Sequence, residues 1–216
     1  MILGLDISTS ITGYTVLDGS GNLVEYGSID TRKYKNFFTK VGVVEEKLIS
    51  LRQSYAVQEI YIEQSLQSFR SGFSSAQTLS TLSRFNGVIS WICFTLFKLE
   101  PEYLAAVSAR RICGIKVPRG TKAKPVVLQF VLDNEPQFVV EYTNKGNPRP
   151  DSYDKADSWV IAKAGFDNIS QASNGGSSLN ALTIDTSGNT TLGGTLTQAG
   201  TLAVVAELGA VAFTSA

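Results

Sequence analysis

The segment Ile2-Leu3-Gly4-Leu5-Asp6-Ile7 places a single acid in an otherwise apolar run near the start of the chain. A short apolar run with β-branched residues predicts a buried strand, and a buried carboxylate without a partner is energetically costly. Three more acids stand in similar surroundings: Glu63 ends another apolar strand, and Asp154 and Asp157 lie three residues apart in a segment of helical character. Such a set, drawn from distant parts of the chain, is best explained by bound divalent cations.

The chain contains no histidine, which removes several classes of chemistry. Ser-His-Asp and Cys-His catalysis, histidine-ligated zinc and a histidine general base are all excluded. Cys93 and Cys113 are too few for a zinc site and too far apart for a redox motif, and Cys93 is predicted to be a small buried apolar side chain. Any chemistry must therefore rest on carboxylates, on Lys and Arg side chains and on hydroxyls.

Length and composition predict one folded core with an appendage. The 216 residues are 43% hydrophobic, which is enough for one substantial core. Residues 1–168 hold all 19 basic residues and 17 of the acids, a net charge of +2, whereas residues 169–216 carry only Asp185 and Glu207. This bias is too weak to argue for nucleic acid without local clusters. The sequence shows neither a signal peptide nor an apolar run of membrane-spanning length, so a soluble cytoplasmic protein with no membrane partner is expected.

Hydrophobic periodicity predicts an α/β fold for residues 1–168. Strands are predicted at 2–8, 11–17, 23–29, 58–63 and 102–107, and helices at 37–52 and 75–98. A short helix capped by Ser108, a helix capped by Thr121 with Pro125 in its first turn, an extended segment at 138–142 and a last helix from about 151 to 165 complete the order. A helix precedes the fourth strand, so this strand can lie parallel to the first, which brings Glu63 towards Asp6.

The composition changes abruptly after Asn168, where Ser, Thr, Gly, Ala and Asn dominate. We therefore predict two parts, residues 1–168 and residues 169–216. The second part has the pattern of short strands separated by tight turns, or of a low-complexity tail.

The order of elements and acids resembles the RNase H-like nuclease superfamily, and within it the RuvC-type Holliday junction resolvases, especially the divergent forms carried by bacteriophages. The residues that carry the resemblance are Leu3-Gly4-Leu5-Asp6 with Thr12-Gly13-Tyr14, Ile62-Glu63-Gln64, and Asp154-Lys155-Ala156-Asp157-Ser158 followed by Ile161-Ala162. The resemblance implies an RNase H-like mixed five-stranded sheet flanked by helices. It also implies an endonuclease that cleaves four-way or other branched DNA in recombination and repair, in the host cytoplasm if the gene is phage-encoded.

The same resemblance assigns the acids to a two-metal site. Two divalent ions about 4 Å apart can stabilise the attacking water and the leaving 3′ oxygen of phosphodiester cleavage. Asp6 would bridge the ions, Glu63 would hold one, and Asp154 and Asp157, which share a helix face, would supply the rest. An all-oxygen site suits Mg²⁺, with Mn²⁺ able to substitute. Asp151 continues the series, but its place at the helix start favours a capping or dipole role.

A cluster of basic residues between the second long helix and the last helix predicts contact with phosphate. The cluster comprises Arg110, Arg111, Lys116, Arg119, Lys122 and Lys124, with no acid among them. Clustered cations gain DNA affinity by counterion release. In the resolvases this region holds lysines that contact the scissile phosphate, and Lys124, or alternatively Lys122, matches that position.

The loop after Glu63 is expected to touch bases at the junction centre. The resolvases place an aromatic side chain there, whereas this chain has Leu66 at the aligned position, with Phe69 and Phe73 nearby. Any of these apolar side chains could unstack bases. Packing of Phe73 against the following helix is the alternative.

The helix predicted at 75–98 is apolar on more than one side. Such a helix is either deeply buried or packs against another copy of the chain. Symmetric cuts across a four-way junction need two active sites, so this helix is a candidate for an isologous homodimer contact.

Other function classes remain open at this point. Gly4-Leu5-Asp6-Ile7-Ser8-Thr9-Ser10 resembles the first phosphate loop of actin-like and sugar-kinase-like ATPases, although the chain is short for two lobes. Another RNase H-superfamily nuclease, acting on RNA or on simple duplex ends, is the harder alternative to exclude. The short repeats at 179–200 resemble those of phage tail fibres, which would suit a structural protein.

Overall fold

The computed structural model describes residues 1–64 and 76–175, together with the backbone of two short strands at 182–184 and 190–192. Its elements are β1 (Ile2–Asp6), β2 (Ile11–Leu17), β3 (Leu23–Asp30), α1 (Phe37–Ser54), β4 (Glu59–Glu63), α2 (Ala76–Phe97), β5 (Glu102–Leu104), α3 (Ala106–Ile112), α4 (Ala123–Asn134), α5 (Asp151–Gly175), β6 (Leu182–Ile184) and β7 (Thr190–Leu192).

Strands β1 to β5 form one mixed sheet in the order β3-β2-β1-β4-β5. Strands β1, β2 and β3 form an antiparallel meander, while β4 pairs parallel to β1 and β5 parallel to β4. The predicted α/β class and the five-stranded mixed sheet are confirmed.

Helices cover both faces of the sheet because successive side chains of a strand point to opposite faces. Leu3 and Leu5 of β1 are fully buried against the core formed with α1 and α2. Ile2 of β1 and Tyr61 of β4 belong to the other core, formed with α3, α4 and α5. Strands buried on both faces account for the near-continuous apolar runs in the sequence. Cys93 is fully buried, as predicted.

Helix α5 is longer than predicted. The glycine taken as its end, Gly165, lies inside the helix, which runs to Gly175. A β-carbon at Gly165 would come within 2.3 Å of the Tyr61 ring. This glycine therefore allows the helix to approach the sheet and does not terminate it.

The two predicted hydroxyl caps are wrong. Helix α3 begins at Ala106 with Ala105 as its N-cap, so Ser108 lies within it. Helix α4 has Lys122 as its N-cap, and the Thr121 hydroxyl instead donates to the carbonyl of Pro118 at 2.6 Å. Residues 138–142 form no strand; an isolated bridge joins Tyr142 to Pro148.

The chain separates into two units, Met1–Ala172 and Ser173–Ala216. In the second unit, β6 and β7 pair antiparallel. Among the described residues, no helix is long and apolar enough to cross a membrane.

Candidate metal centre

Asp6 and Glu63 come together because their strands are parallel neighbours. The register pairs Leu5 with Ile62, so the next residues, Asp6 and Glu63, stand side by side where both strands end. Parallel strands end at the same edge of a sheet, so two carboxylates that are far apart in sequence become neighbours.

Helix α5 brings Asp154 and Asp157 to the same edge, and glycines in the sheet allow the close approach. A β-carbon on Gly13 would lie 2.0 Å from the backbone oxygen of Asp154, and one on Gly4 would lie 2.6 Å from the β-carbon of Ala162. The buried hydroxyls of Thr15 and Ser158 are hydrogen-bonded at 2.9 Å. These contacts fix the position and rotation of the helix that carries the two acids.

Three of the predicted acids can offer oxygens to one ion. Asp6, Asp154 and Asp157 can each place one carboxylate oxygen so that all three lie within 4.8 Å of one another. Glu63 is not in this group, but among neighbouring charges it is the largest influence on the pKa of Asp6. The four acids form one electrostatic cluster with Glu63 at its side.

Burial raises the pKa of every acid in this cluster. Desolvation, followed by the charges of Glu63, Asp157 and Asp154, holds the pKa of Asp6 well above its usual value. Desolvation also raises the pKa of Glu63 to about 7 and of Asp157 to about 6, and it raises that of Asp154. Buried carboxylates that repel one another are stabilised by a divalent cation, and hard oxygen donors suit Mg²⁺ or Mn²⁺.

Lys124 lies within the acidic cluster. Its ammonium donates to Asp154 Oδ1 at 3.0 Å and lies 3.8 Å from Asp157 Oδ2. Burial lowers the pKa of Lys124, but the charge of Asp154 and the hydrogen bond to it outweigh burial and raise the pKa. The side chain is 58% exposed, so the ammonium can also reach a group arriving from solvent.

The other predicted basic residues differ in whether their charge acts on the acids. The charge of Arg110 lowers the pKa values of Glu63 and Asp157, which places Arg110 beside the cluster. The remaining members are exposed on α3 and on the loop that leads to the N-cap of α4: Arg111, Lys116, Arg119 and Lys122.

Asp151 has the structural role expected from its position. It is the first residue of α5, it accepts a hydrogen bond from the Ser28 hydroxyl at 3.1 Å, and it pairs with Lys155 at 2.7 Å. These interactions anchor the start of α5 to β3.

The predicted base-contacting side chains, Leu66, Phe69 and Phe73, lie outside the described residues. Their roles stay predictions.

A cavity of about 470 Å³ lies elsewhere in the same unit, and none of the four acids lines it. Its walls include Asn22, Phe130, Glu135, Trp159 and Lys163. The acids lie at the edge of the sheet instead, where the side chains of Asp154 and Asp157 are 15% and 20% exposed. A site at an edge is accessible to a large substrate.

Sequence reasoning missed how Gly4, Gly13 and the Thr15–Ser158 pair position α5. A glycine inside an apolar strand is itself a signal of close backbone approach. Gly4 and Gly13 carried that signal, but the helix that approaches them could not be identified from it.

Comparison with known proteins reveals one sequence relative and several structural ones. No family model matches the chain. The crossover junction endodeoxyribonuclease RuvC of Bacteroides fragilis is 38% identical over 66 residues, which are 29% of this chain and 35% of that protein. The match thus spans about a third of the relative's length.

Two solved structures share the fold over most of their length. Thermus thermophilus RuvC in complex with a Holliday junction substrate superposes with a TM-score of 0.55 at 14% identity, covering 81% of this chain and 95% of that one. The yeast mitochondrial Holliday junction resolvase Ydc2 gives a TM-score of 0.51 at 14% identity, covering 80% of each chain. The chain therefore has the RuvC fold and is RuvC-like in sequence, which confirms the predicted resemblance.

Proposed function

We propose that this RuvC-like chain is a metal-dependent endodeoxyribonuclease that cleaves Holliday junctions or other branched DNA. The observation that carries the proposal is the convergence of Asp6, Asp154 and Asp157, with Glu63 beside them, at one edge of a RuvC-type sheet. The relatives whose fold it shares are a RuvC bound to a Holliday junction and a Holliday junction resolvase. An activity of this kind belongs to DNA recombination and repair in the cytoplasm, that of the host if the gene is phage-encoded.

The acids act in this proposal as ligands for Mg²⁺, with Mn²⁺ able to substitute. Divalent ions at such a site stabilise the attacking water and the leaving 3′ oxygen. Asp6 is the central ligand because it is the most deeply placed acid and interacts with all the others. Asp154 and Asp157 approach from the helix and Glu63 from β4. Their raised pKa values mean that cation binding and loss of protons are coupled.

Lys124 is proposed to contact the scissile phosphate. Its ammonium bridges Asp154 and Asp157, so its positive charge lies beside the acids that would hold the metal. Of the two lysines considered from the sequence, Lys124 is favoured, because it forms salt bridges with Asp154 and Asp157, whereas Lys122 is the N-cap of α4. Arg110 adds positive charge beside Glu63.

The exposed basic residues of α3 and of the loop that leads to α4 are proposed to bind the DNA backbone. Phosphate contacts of this kind position a duplex without reading its sequence. The apolar side chains at 66, 69 and 73 remain the candidates for contact with unstacked bases.

A homodimer through α2 is part of the proposal. One side of α2 is buried through Phe85, Ile89 and Ile92, while Trp91 on the other side is 64% exposed. Its ring lies 5.7 Å from that of Phe94. Large exposed apolar patches mark interaction sites, and two cuts across a junction need two active sites.

The dimer is tested by sedimentation of Trp91→Glu, which should be monomeric and should cut only one strand of each junction. Val139→Glu is the matched control, because Val139 is 69% exposed and lies outside α2. A wild-type protein that is monomeric both alone and on junction DNA would rule out this interface.

The function itself is tested by a panel of substrates. Wild type and Asp6→Asn are incubated with Mg²⁺ and a four-way junction, a flap, a linear duplex or an RNA–DNA hybrid. The proposal predicts cleavage of branched DNA by wild type only. Preferential cleavage of the hybrid or of duplex ends would instead favour another RNase H-superfamily nuclease.

A further inference from the structure

The segment between β3 and α1 carries a second cluster of cations, separate from the cluster on α3 and α4. Residues 31–44 contain Arg32, Lys33, Lys35 and Lys40 and no acid. We call Arg32, Lys33 and Lys35 the β3–α1 basic segment. The nearest acid in sequence is Asp30, the last residue of β3.

Hydrogen bonds attach this segment to the loop that follows Asp6. The Thr31 backbone N–H donates to the carbonyl of Ser10 at 2.9 Å, and the Thr31 hydroxyl donates to the carbonyl of Thr9 at 2.9 Å. The Lys40 ammonium donates to the same Thr9 carbonyl. The β3–α1 basic segment is therefore held at the edge of the sheet where the acids lie.

The β3–α1 basic segment and the α3–α4 cations, which are the basic residues of α3 and of the loop that leads to α4, act on different members of the acidic cluster. The hydrogen bond to Asp30 is the main cause of the raised pKa of Arg32, and the charges of Asp151 and Asp154 raise it further. Arg110, by contrast, acts on Glu63 and Asp157. Cations thus lie near both the first turn of α5 and the end of β4.

Contacts within the protein account for only some of the positive charges in the β3–α1 basic segment. Arg32 pairs with Asp30, but Lys33 and Lys35 form no ion pair with any described residue. Lys33 lies 4.9 Å from the Tyr34 ring centroid, and both lysines are exposed. They precede α1, whose first turn contains no acid, and cations near a helix N-terminus are electrostatically unfavourable. Helix stability therefore does not explain them.

We propose that the β3–α1 basic segment is a second phosphate-binding surface, which holds the DNA backbone on the β3 side of the acids while the α3–α4 cations hold it on the other side. This inference rests on the proposed function. A strand crossing the acids between two positive surfaces would be fixed on both sides of the scissile phosphate, which is what in-line cleavage requires of the substrate.

The test compares two double variants of equal charge. Lys33→Gln/Lys35→Gln removes charge from the segment. Arg52→Gln/Lys98→Gln removes the same charge from the last turn of α1 and from the residue after α2. Both lie towards the opposite edge of the sheet, where the Gln58 N–H donates to the Met1 carbonyl. Affinity for a fluorescent four-way junction is measured in EDTA between 50 and 300 mM salt, with thermal melting to verify folding.

Each lost phosphate contact lowers the slope of log affinity against log salt by about 0.9 and weakens binding about tenfold near 0.1 M salt. The segment variant should lose about one to two units of slope, and the control variant should keep the wild-type slope. In Mg²⁺, the segment variant should also cleave more slowly below saturating protein.

Three outcomes are distinguishable. A smaller slope in the segment variant alone supports the second surface. Equal slopes in both variants overturn it while leaving the proposed nuclease intact. A wild-type protein that neither binds nor cleaves branched DNA overturns the proposed function and this inference together.

Discussion

Among the individual residues of the site, Lys124 links the acidic cluster to the basic residues of α3 and of the loop that leads to α4. It pairs with Asp154 and Asp157 and follows the exposed basic loop between α3 and α4. Its ammonium partly offsets the mutual repulsion of acids whose pKa values burial has raised. Lys124 contacts the acids and is also exposed to solvent. Its ammonium would therefore be able to exchange its carboxylate partners for a phosphate when cations occupy the acids.

We expect Lys124→Gln to slow junction cleavage by about a hundredfold or more, the usual cost of removing one preorganised donor at a phosphoryl or oxyanion position. Junction affinity in EDTA should fall by about tenfold at most, since one phosphate contact is lost. Single-turnover kinetics measure the first quantity. Lys122→Gln is the matched comparison: as a proposed backbone contact it should lower junction affinity, but at saturating protein it should cleave at nearly the wild-type rate. A larger defect in its saturating rate would reassign the contact with the scissile phosphate to Lys122.

The acidic cluster should make stability fall with rising pH when no metal is present. Folding raises the pKa of Glu63 to about 7 and of Asp157 to about 6, so the folded protein binds more protons than the unfolded chain between about pH 4 and pH 7. The stability that these protons confer is complete below about pH 4 and is lost as pH rises through the folded values.

Melting temperatures in EDTA should therefore decrease from pH 5 to pH 8, and Mg²⁺ should restore more stability at pH 8 than at pH 5. Glu63→Gln should flatten the EDTA profile. A wild-type melting temperature that is constant or rises over this range would show that burial and mutual repulsion do not raise the pKa values of these acids as described.

At the scale of elements, the site depends on how closely α5 packs on the sheet. Gly13 of β2 faces the backbone of Asp154, and Gly4 of β1 faces Ala162. The helix can approach because these strand positions lack side chains, and the buried Thr15–Ser158 hydrogen bond sets its register. The position of two of the four acids is thus determined by residues that have no chemical role.

Gly13→Ala should displace α5, because the added carbon would lie 2.0 Å from the Asp154 carbonyl oxygen. We expect a loss of about 1–3 kcal/mol in the free energy of unfolding from overpacking, together with a large loss of cleavage. Urea denaturation measures the stability. Gly42→Ala in α1, where an added carbon meets nothing within 4 Å, should instead stabilise by about 0.5–1 kcal/mol. Equal stability of the two variants would mean that α5 does not need Gly13.

The sheet and its acids were predictable because their signals are strong. A lone acid in an apolar strand is costly unless it is used, and a helix before β4 permits the parallel pairing that joins Glu63 to Asp6. Helix ends were harder to predict. A glycine that admits a neighbouring ring, such as Gly165, has the same sequence signature as a helix-terminating glycine. Ser108 looked like a cap because serine favours caps, yet the chain enters α3 two residues earlier.

At the scale of the whole molecule, residues 1–172 contain every described element of the proposed site. Helix α5 passes the boundary predicted at residue 168 and ends at Gly175. Ile169 of α5 still packs against the core. The nuclease unit that we propose therefore extends beyond residue 168 to include Ile169, and residues 173–216 form a separate unit.

Truncation after Gly175 should leave the melting temperature of the nuclease unit and the rate of junction cleavage unchanged. Truncation after Asn168 should lower stability by about 1 kcal/mol or more, because the partly buried Ile169 is lost. Thermal melting and single-turnover cleavage of both products test this expectation. Loss of cleavage in the longer product would assign the tail a part in the activity.

The central claim is that Asp6 and its neighbours bind the cations that cleave branched DNA. The most direct measurement is the single-turnover rate of four-way junction cleavage against Mg²⁺ concentration, for wild type and Asp6→Asn, with junction binding in EDTA as the control for folding. We predict a saturable Mg²⁺ dependence for wild type, with no cleavage by Asp6→Asn and unimpaired binding. Cleavage by the variant at the wild-type rate, or cleavage by wild type without divalent cations, would contradict the account.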